Sequence, residues 1–139
     1  MIINKCPVFF FTVPSTAPTL VSVQTLNSTS IKVKWLAVPE ESTHGIPTRY
    51  TIYYAYSDGK VDTKVVTPVK DPITYQEVVS GLKESTEYSF QVSLSTAKGE
   101  GPLSVSKSSA TEGVCKWSKS FFHSICMYYQ QQRILTRLV

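Results

Sequence analysis

Gly81-Leu82-Lys83-Glu84-Ser85-Thr86-Glu87-Tyr88-Ser89-Phe90-Gln91-Val92-Ser93-Leu94 is the stretch that decides the fold. Tyr88, Phe90, Val92 and Leu94 alternate with Ser89, Gln91 and Ser93. In a strand that alternation puts the large apolar groups on one face and the polar ones on the other. Leu82 precedes Tyr88 across a short polar link that reads as a turn.

The pattern repeats upstream. Ile31-Lys32-Val33-Lys34-Trp35 is predicted as a strand with Ile31, Val33 and Trp35 inward and both lysines toward water. Tyr50-Thr51-Ile52-Tyr53-Tyr54-Ala55-Tyr56 is another, with Tyr50, Ile52 and Tyr54 on one face and Tyr56 in phase at its end. Asp58-Gly59 is a strong hairpin signal, so the next strand is expected at 61–67, with Val61 and Val65 in phase. Three weaker strands complete the set. One runs at 19–26, with Val21 and Val23 on one face. One falls within 73–80, where adjacent Val78 and Val79 cannot both point inward without a bulge. The last, at 103–111, is mostly serine.

The segments between carry turn chemistry. Pro14-Ser15-Thr16-Ala17-Pro18 reads as an extended linker, and Asn27-Ser28-Thr29-Ser30 as a polar turn. Residues 37–48, with Pro39, Gly45 and Pro47, read as a loop. Pro68 and Pro72 bracket another, and Ala97–Pro102 is a glycine-rich one. Seven short strands, with no helix signal from 14 to 113, predict an all-β fold: a seven-stranded antiparallel β-sandwich with non-domain flanks.

A chain of 139 residues suits one domain with flanks. From 14 to 113 there are nine basic and ten acidic residues, a net of −1; the flanks hold Lys5, Lys116, Lys119, Arg133 and Arg137 with no acid. The basic balance therefore belongs to the ends, and the basic face that nucleic-acid binding needs is missing from the domain. Cys6, Cys115 and Cys126 also lie in the flanks. No Cys/His spacing suits zinc, and a core without cysteine is viable inside or outside the cell.

At this point the residues resemble a fibronectin type III domain over 14–113. The matching positions are Pro18 before the first strand, Trp35 closing the second, and Tyr50-x-Ile52-x-Tyr54 in the third. They continue with Gly81-Leu82-x-x-x-Thr86-x-Tyr88 at the corner, Phe90 and Val92, then Gly101-Pro102, Ser104 and Thr111. Leucine, polar corner, tyrosine is similar to the tyrosine corner of immunoglobulin-like sandwiches, in which the phenol bonds back to upstream backbone. The spacing resembles modules from tandem arrays in neuronal adhesion receptors and receptor-type tyrosine phosphatases. The last strand is more polar than usual in the family, and the resemblance stops after Gly113.

The flanks read differently. Residues 1–13, with Lys5, Pro7 and a short apolar run, make a poor signal peptide; a leftover of a longer chain is preferred. In the tail, 114–139, Phe121, Phe122, Ile125, Cys126 and Tyr129 could form a helical apolar stripe, but the run is too short and polar to span a bilayer. The tail admits a disordered or non-native extension, a short helix packed on the domain or a partner, or a basic membrane-surface anchor; the abrupt change of composition favours the first.

No catalytic or metal-binding residues are assigned and no cofactor is expected. His44 and His123 lack a carboxylate or cysteine partner at useful spacing, and no nucleophile–base pair occurs. Trp35, Tyr50, Ile52, Tyr54, Leu82, Tyr88, Phe90 and Val92 are expected in the core. Asn27-Ser28-Thr29 is a glycosylation sequon, usable only if the chain is secreted. Loops at a sandwich end often carry recognition, and by the family resemblance 40–47 and 97–102 share one end. Glu40, Glu41, His44, Lys98 and Glu100 are therefore candidate binding residues.

The expected function is that of a non-catalytic interaction or spacer module of a cell-surface adhesion or receptor protein, extracellular, with other proteins or neighbouring modules as partners. Two alternatives remain: a cytoplasmic structural module of a scaffold, and an accessory domain of a larger receptor enzyme such as a tyrosine phosphatase. Membrane contact is expected only through a parent segment or weakly through the tail.

Overall fold

The computed structural model describes residues 12–56, 58–69 and 73–113. The expectations for residues 1–11 and the tail, including Cys6, Cys115, Cys126 and His123, lie outside the described residues.

The elements in chain order are β1 (Thr19–Asn27), β2 (Ser30–Leu36), α1 (Glu40–Thr43), β3 (Pro47–Tyr56), β4 (Val61–Val66), β5 (Thr74–Ser80), β6 (Glu87–Thr96), β7 (Gly99–Glu100) and β8 (Lys107–Ala110). They form two antiparallel sheets. One has the order β1-β2-β5; the other runs β4-β3-β6-β7, with β8 also pairing β6. The fold is an all-β sandwich, and β7 and β8 are the two pieces of its last strand.

The core lies between the sheets and is set by the alternation. Ile31, Val33 and Trp35 of β2 and Phe90 and Val92 of β6 are completely buried, as is Ile52 of β3. Trp35 stacks on Tyr75 with ring centres 5.6 Å apart, and Tyr50 closes the group at 4.6 Å from Tyr75. A second aromatic group, Tyr54, Tyr56, Tyr88 and Phe90, fills the far end, with Tyr56 meeting Tyr88 edge-on at 5.6 Å. Such tilted and stacked pairs add to the free energy of burial.

The corner forms as the resemblance implied. Gly81 takes a positive φ of 77°, which favours a residue without Cβ. Leu82 is buried, and the Lys83 N–H donates to Tyr88 Oη at 2.8 Å. The Leu82 N–H donates to the Thr29 carbonyl at 3.0 Å, which ties the corner to the β1–β2 turn.

Several phases differ from those read in the sequence. In β1 the register slips between Leu20 and Ser22, leaving Val21 as the extra residue of a bulge. Leu20 and Val23 therefore point inward opposite Trp35 and Val33, while Val21 faces out. In β4, Val61 and Val65 are in phase but on the outer face; Val66 turns inward opposite Tyr50. In β5 the register against β2 is continuous, so Val79 is buried and Val78 faces out without a bulge. The 37–48 loop contains the single turn α1, closed by His44 at a positive φ of 52°. Its turn is made by Ser42 and Thr43 N–H groups donating to the Pro39 carbonyl. Gly99–Glu100, expected in a loop, pairs with Ser95 and Thr96 as β7.

The last strand is broken between β7 and β8, where Pro102 cannot donate to a ladder. Ser104 bridges the gap: its N–H donates to the Val92 carbonyl at 2.8 Å, and its Oγ accepts from the Val92 N–H at 2.9 Å. That double contact buries a residue that composition alone placed in a weak polar strand.

Candidate functional site

The two candidate loops are joined by residues 12–15. The Thr12 N–H donates to the His44 carbonyl at 3.1 Å, and the Thr12 carbonyl accepts from Thr96 Oγ1 at 3.2 Å. Ser15 N–H donates to the Ser42 carbonyl at 3.0 Å, and Ser15 Oγ lies 2.9 Å from His44 Nε2. Pro14 is buried between the loops, close above Gly101. The end of the N-terminal flank and the first residues of the expected linker are therefore docked. They form the floor between the 40–47 and 97–101 segments, and they engage His44 rather than leaving the imidazole free.

Glu40 and Glu41 are exposed on α1, and Lys98 is exposed at the β6–β7 turn. They rim this end. Glu100 is different: its Oε1 accepts from Tyr53 Oη at 2.6 Å and from Ser93 Oγ. These bonds, with the Ser93 hydroxyl contributing most, hold the Glu100 carboxyl below its ordinary pKa. The same carboxylate pushes the Tyr53 phenol up. Glu100 thus caps a polar cluster on the outer face of the larger sheet. Sequence periodicity assigned Ser93 to a solvent face, but Glu100 and Tyr53 cover it and it is fully buried.

The opposite end holds the β1–β2 turn, the Asp58-Gly59 hairpin and the tyrosine corner. Asn27 is exposed there, with its Oδ1 accepting from the Thr29 N–H at 2.9 Å. Lys83 Nζ sits 4.3 Å from the centre of the Tyr56 ring. That phenol is the first cause of the raised Lys83 pKa. Thr111 is anchored at the same corner: its Oγ1 donates to the Lys83 carbonyl at 2.6 Å and accepts from the Thr86 N–H at 3.0 Å.

All eight expected core residues line the interior or pack against it. Tyr75 was missed, although it is in phase with Val79; its weak flanking residues hid the alternation. Glu77 was missed too. It points inward on the edge strand β5 opposite Val33, and Lys64 neutralises it at 2.7 Å. Among the described residues no group of three or more His, Cys, Asp or Glu side chains could hold a metal ion. No described helix is long and apolar enough to cross a membrane.

The family model described as "Fibronectin type III domain" matches residues 16–120. The human Netrin receptor DCC is 37% identical over 92 residues, 66% of this chain and 6% of the receptor. Receptor-type tyrosine-protein phosphatase F of Danio rerio is 38% identical over 91 residues, again 66% of this chain and 5% of that protein. The chain therefore spans only a small fraction of these relatives. Among solved structures, the fn3 domain of human contactin 1 superposes with a TM-score of 0.65 at 29% identity, covering 77% of this chain and 86% of that one.

Proposed function

The chain belongs to the fibronectin type III family, and from that premise we propose that it serves as a non-catalytic interaction or spacer module of a cell-surface adhesion or receptor protein. The observation that carries this is the placement of the first and last described segments at opposite ends of the sandwich. Residues 12–15 dock at the end built by 40–47 and 97–101, while Thr111 closes at the tyrosine-corner end. A module entered at one end and left at the other stacks head to tail. It transmits spacing and presents its outer sheet faces and loop rims to partners. The unit proposed for this role is 14–113, with Glu40, Glu41 and Lys98 at the entry end as its partner-facing polar groups and Glu100 committed to the Tyr53–Ser93 cluster on the outer sheet face. Its partners are other proteins or neighbouring modules.

Likeness to a receptor and a receptor phosphatase supports an extracellular location. Antibody staining of cells expressing the protein from its own gene tests it. Labelling of intact cells is the expected result. Labelling only after permeabilisation would overturn it and favour the cytoplasmic scaffold instead.

A further inference from the structure

A sandwich with two open sheets presents four strand edges, and each edge is a row of backbone groups able to pair with another chain. Three of them are blunted here. At β1 the bulge at Val21 breaks the row, and Lys107 Nζ donates to the Val21 carbonyl at 2.8 Å. Further along, Thr25 Oγ1 donates to the Ala110 carbonyl of β8 at 2.6 Å, so β1 and β8 close on each other. At β5, Lys64 Nζ donates to the Val78 carbonyl at 2.6 Å. The β7 and β8 pieces are short and interrupted. The fourth edge is β4. Its ladder with β3 is regular over Val61–Val66, and it contains neither proline nor bulge. Among the described residues no strand pairs with its outer side.

The sequence of this edge is complementary to itself. We propose that β4 pairs antiparallel with β4 of a second copy of the chain, on a two-fold axis through Thr63. In that register Val61 faces the partner's Val65, and Asp62 faces the partner's Lys64, each pair occurring twice. The valines are 56% and 59% exposed, so the outer face of the joint gains two apolar cross-strand pairs. Asp62 and Lys64 point the other way, toward the sandwich interior, opposite Tyr54 and Ile52. There the partner's Lys64 keeps its own Glu77 at 2.7 Å and gains a second carboxylate.

Neighbouring registers are excluded by charge and pleat. An axis through Asp62 opposes two aspartates and sets Lys60 against Lys64. An axis through Lys64 opposes two lysines. An axis between residues sets an inward side chain against an outward one. A lysine normally blunts an edge; in the Thr63-centred register Lys64 meets an acid of β4 itself, with all of Val61–Val65 paired. A joint of one strand pair is small, so the dimer belongs to the weak, concentration-dependent class.

Sedimentation equilibrium of the full chain over the micromolar to submillimolar range tests this. The expected mass rises toward twice the monomer. Asp62→Lys places lysine opposite lysine and Lys64→Asp places aspartate opposite aspartate, so each variant alone stays monomeric. An equimolar mixture restores both ion pairs and returns to dimer. Asp62 is half-exposed and its variant keeps the fold, which circular dichroism verifies; it therefore decides the matter even if Lys64→Asp, which also loses Glu77, unfolds. A wild-type chain that stays monomeric throughout, or an Asp62→Lys chain that dimerises as well as wild type, overturns the proposal.

Discussion

Tyr50 shows how one burial controls one property. Its side chain is almost fully covered, packed between Trp35 and Tyr75. Burial pushes its phenol from the ordinary 10.0 up to about 12, because the phenolate cannot be hydrated there. Below pH 10.0 folded and unfolded chains both hold the proton and stability is intact. Above it the unfolded chain releases a proton that the native chain keeps, so stability falls as pH rises toward about 12. Tyr54 and Tyr75 shift the same way, burial again being the first cause. Urea unfolding across this range is expected to show declining midpoints. Tyr50→Phe, which cannot ionise, should remove up to about 1.4 kcal/mol per pH unit from the slope; an unchanged slope in that variant would refute the assignment. Trp35 lies beside it and illustrates the other side of burial. No described acceptor reaches its Nε1, so apolar packing alone holds the indole in place.

At the scale of elements, the strands with strict alternation were legible and the others were not. Period two marks β2, β3 and β6 because each has one face against the opposite sheet. β1 and β4 carry valines at the right spacing, but the bulge turns Val21 out while Val23 stays inward, and pairing with β3 puts Val61 and Val65 on the outer face. Nothing in Val21-Ser22-Val23 encodes the slip, since it arises from pairing with β2. The docked segment 12–15 spans the end of the expected N-terminal flank and the first two residues of the expected linker, Pro14 and Ser15; proline and serine suit an extended chain whether or not it is covered. What makes it an element is Gly101, whose added Cβ would lie 2.7 Å from Pro14 Cβ and 3.0 Å from the Pro14 carbonyl. Gly101→Ala is expected to cost about 1–3 kcal/mol by overpacking. It should also accelerate hydrogen exchange at the Thr12 amide, whose bond to His44 depends on that docking. Native exchange and unchanged melting in the variant would show that the contact is not needed.

Across the whole molecule, the two ends differ in what they offer. The entry end carries the loop rims and the docked segment. The exit end carries Asn27, held in its turn by the Thr29 N–H. A glycan there would leave the entry end open to a partner. When the chain is produced through a secretory pathway, it is expected to show a gel shift that N-glycosidase removes and that Asn27→Gln abolishes. Secreted wild-type protein lacking the shift would argue against occupancy. The sequence by itself determined the class of fold, the core of β2, β3 and β6, and the corner, because alternation and turn chemistry are local and survive without knowledge of the partner strand. Only the tertiary structure decided which valines of β1, β4 and β5 face water, that Glu100 buries Ser93, that 12–15 joins two loops, and that among the described residues no strand pairs with the outer side of β4. Each of these depends on which strand lies alongside which, and that is set by contacts between residues far apart in the chain.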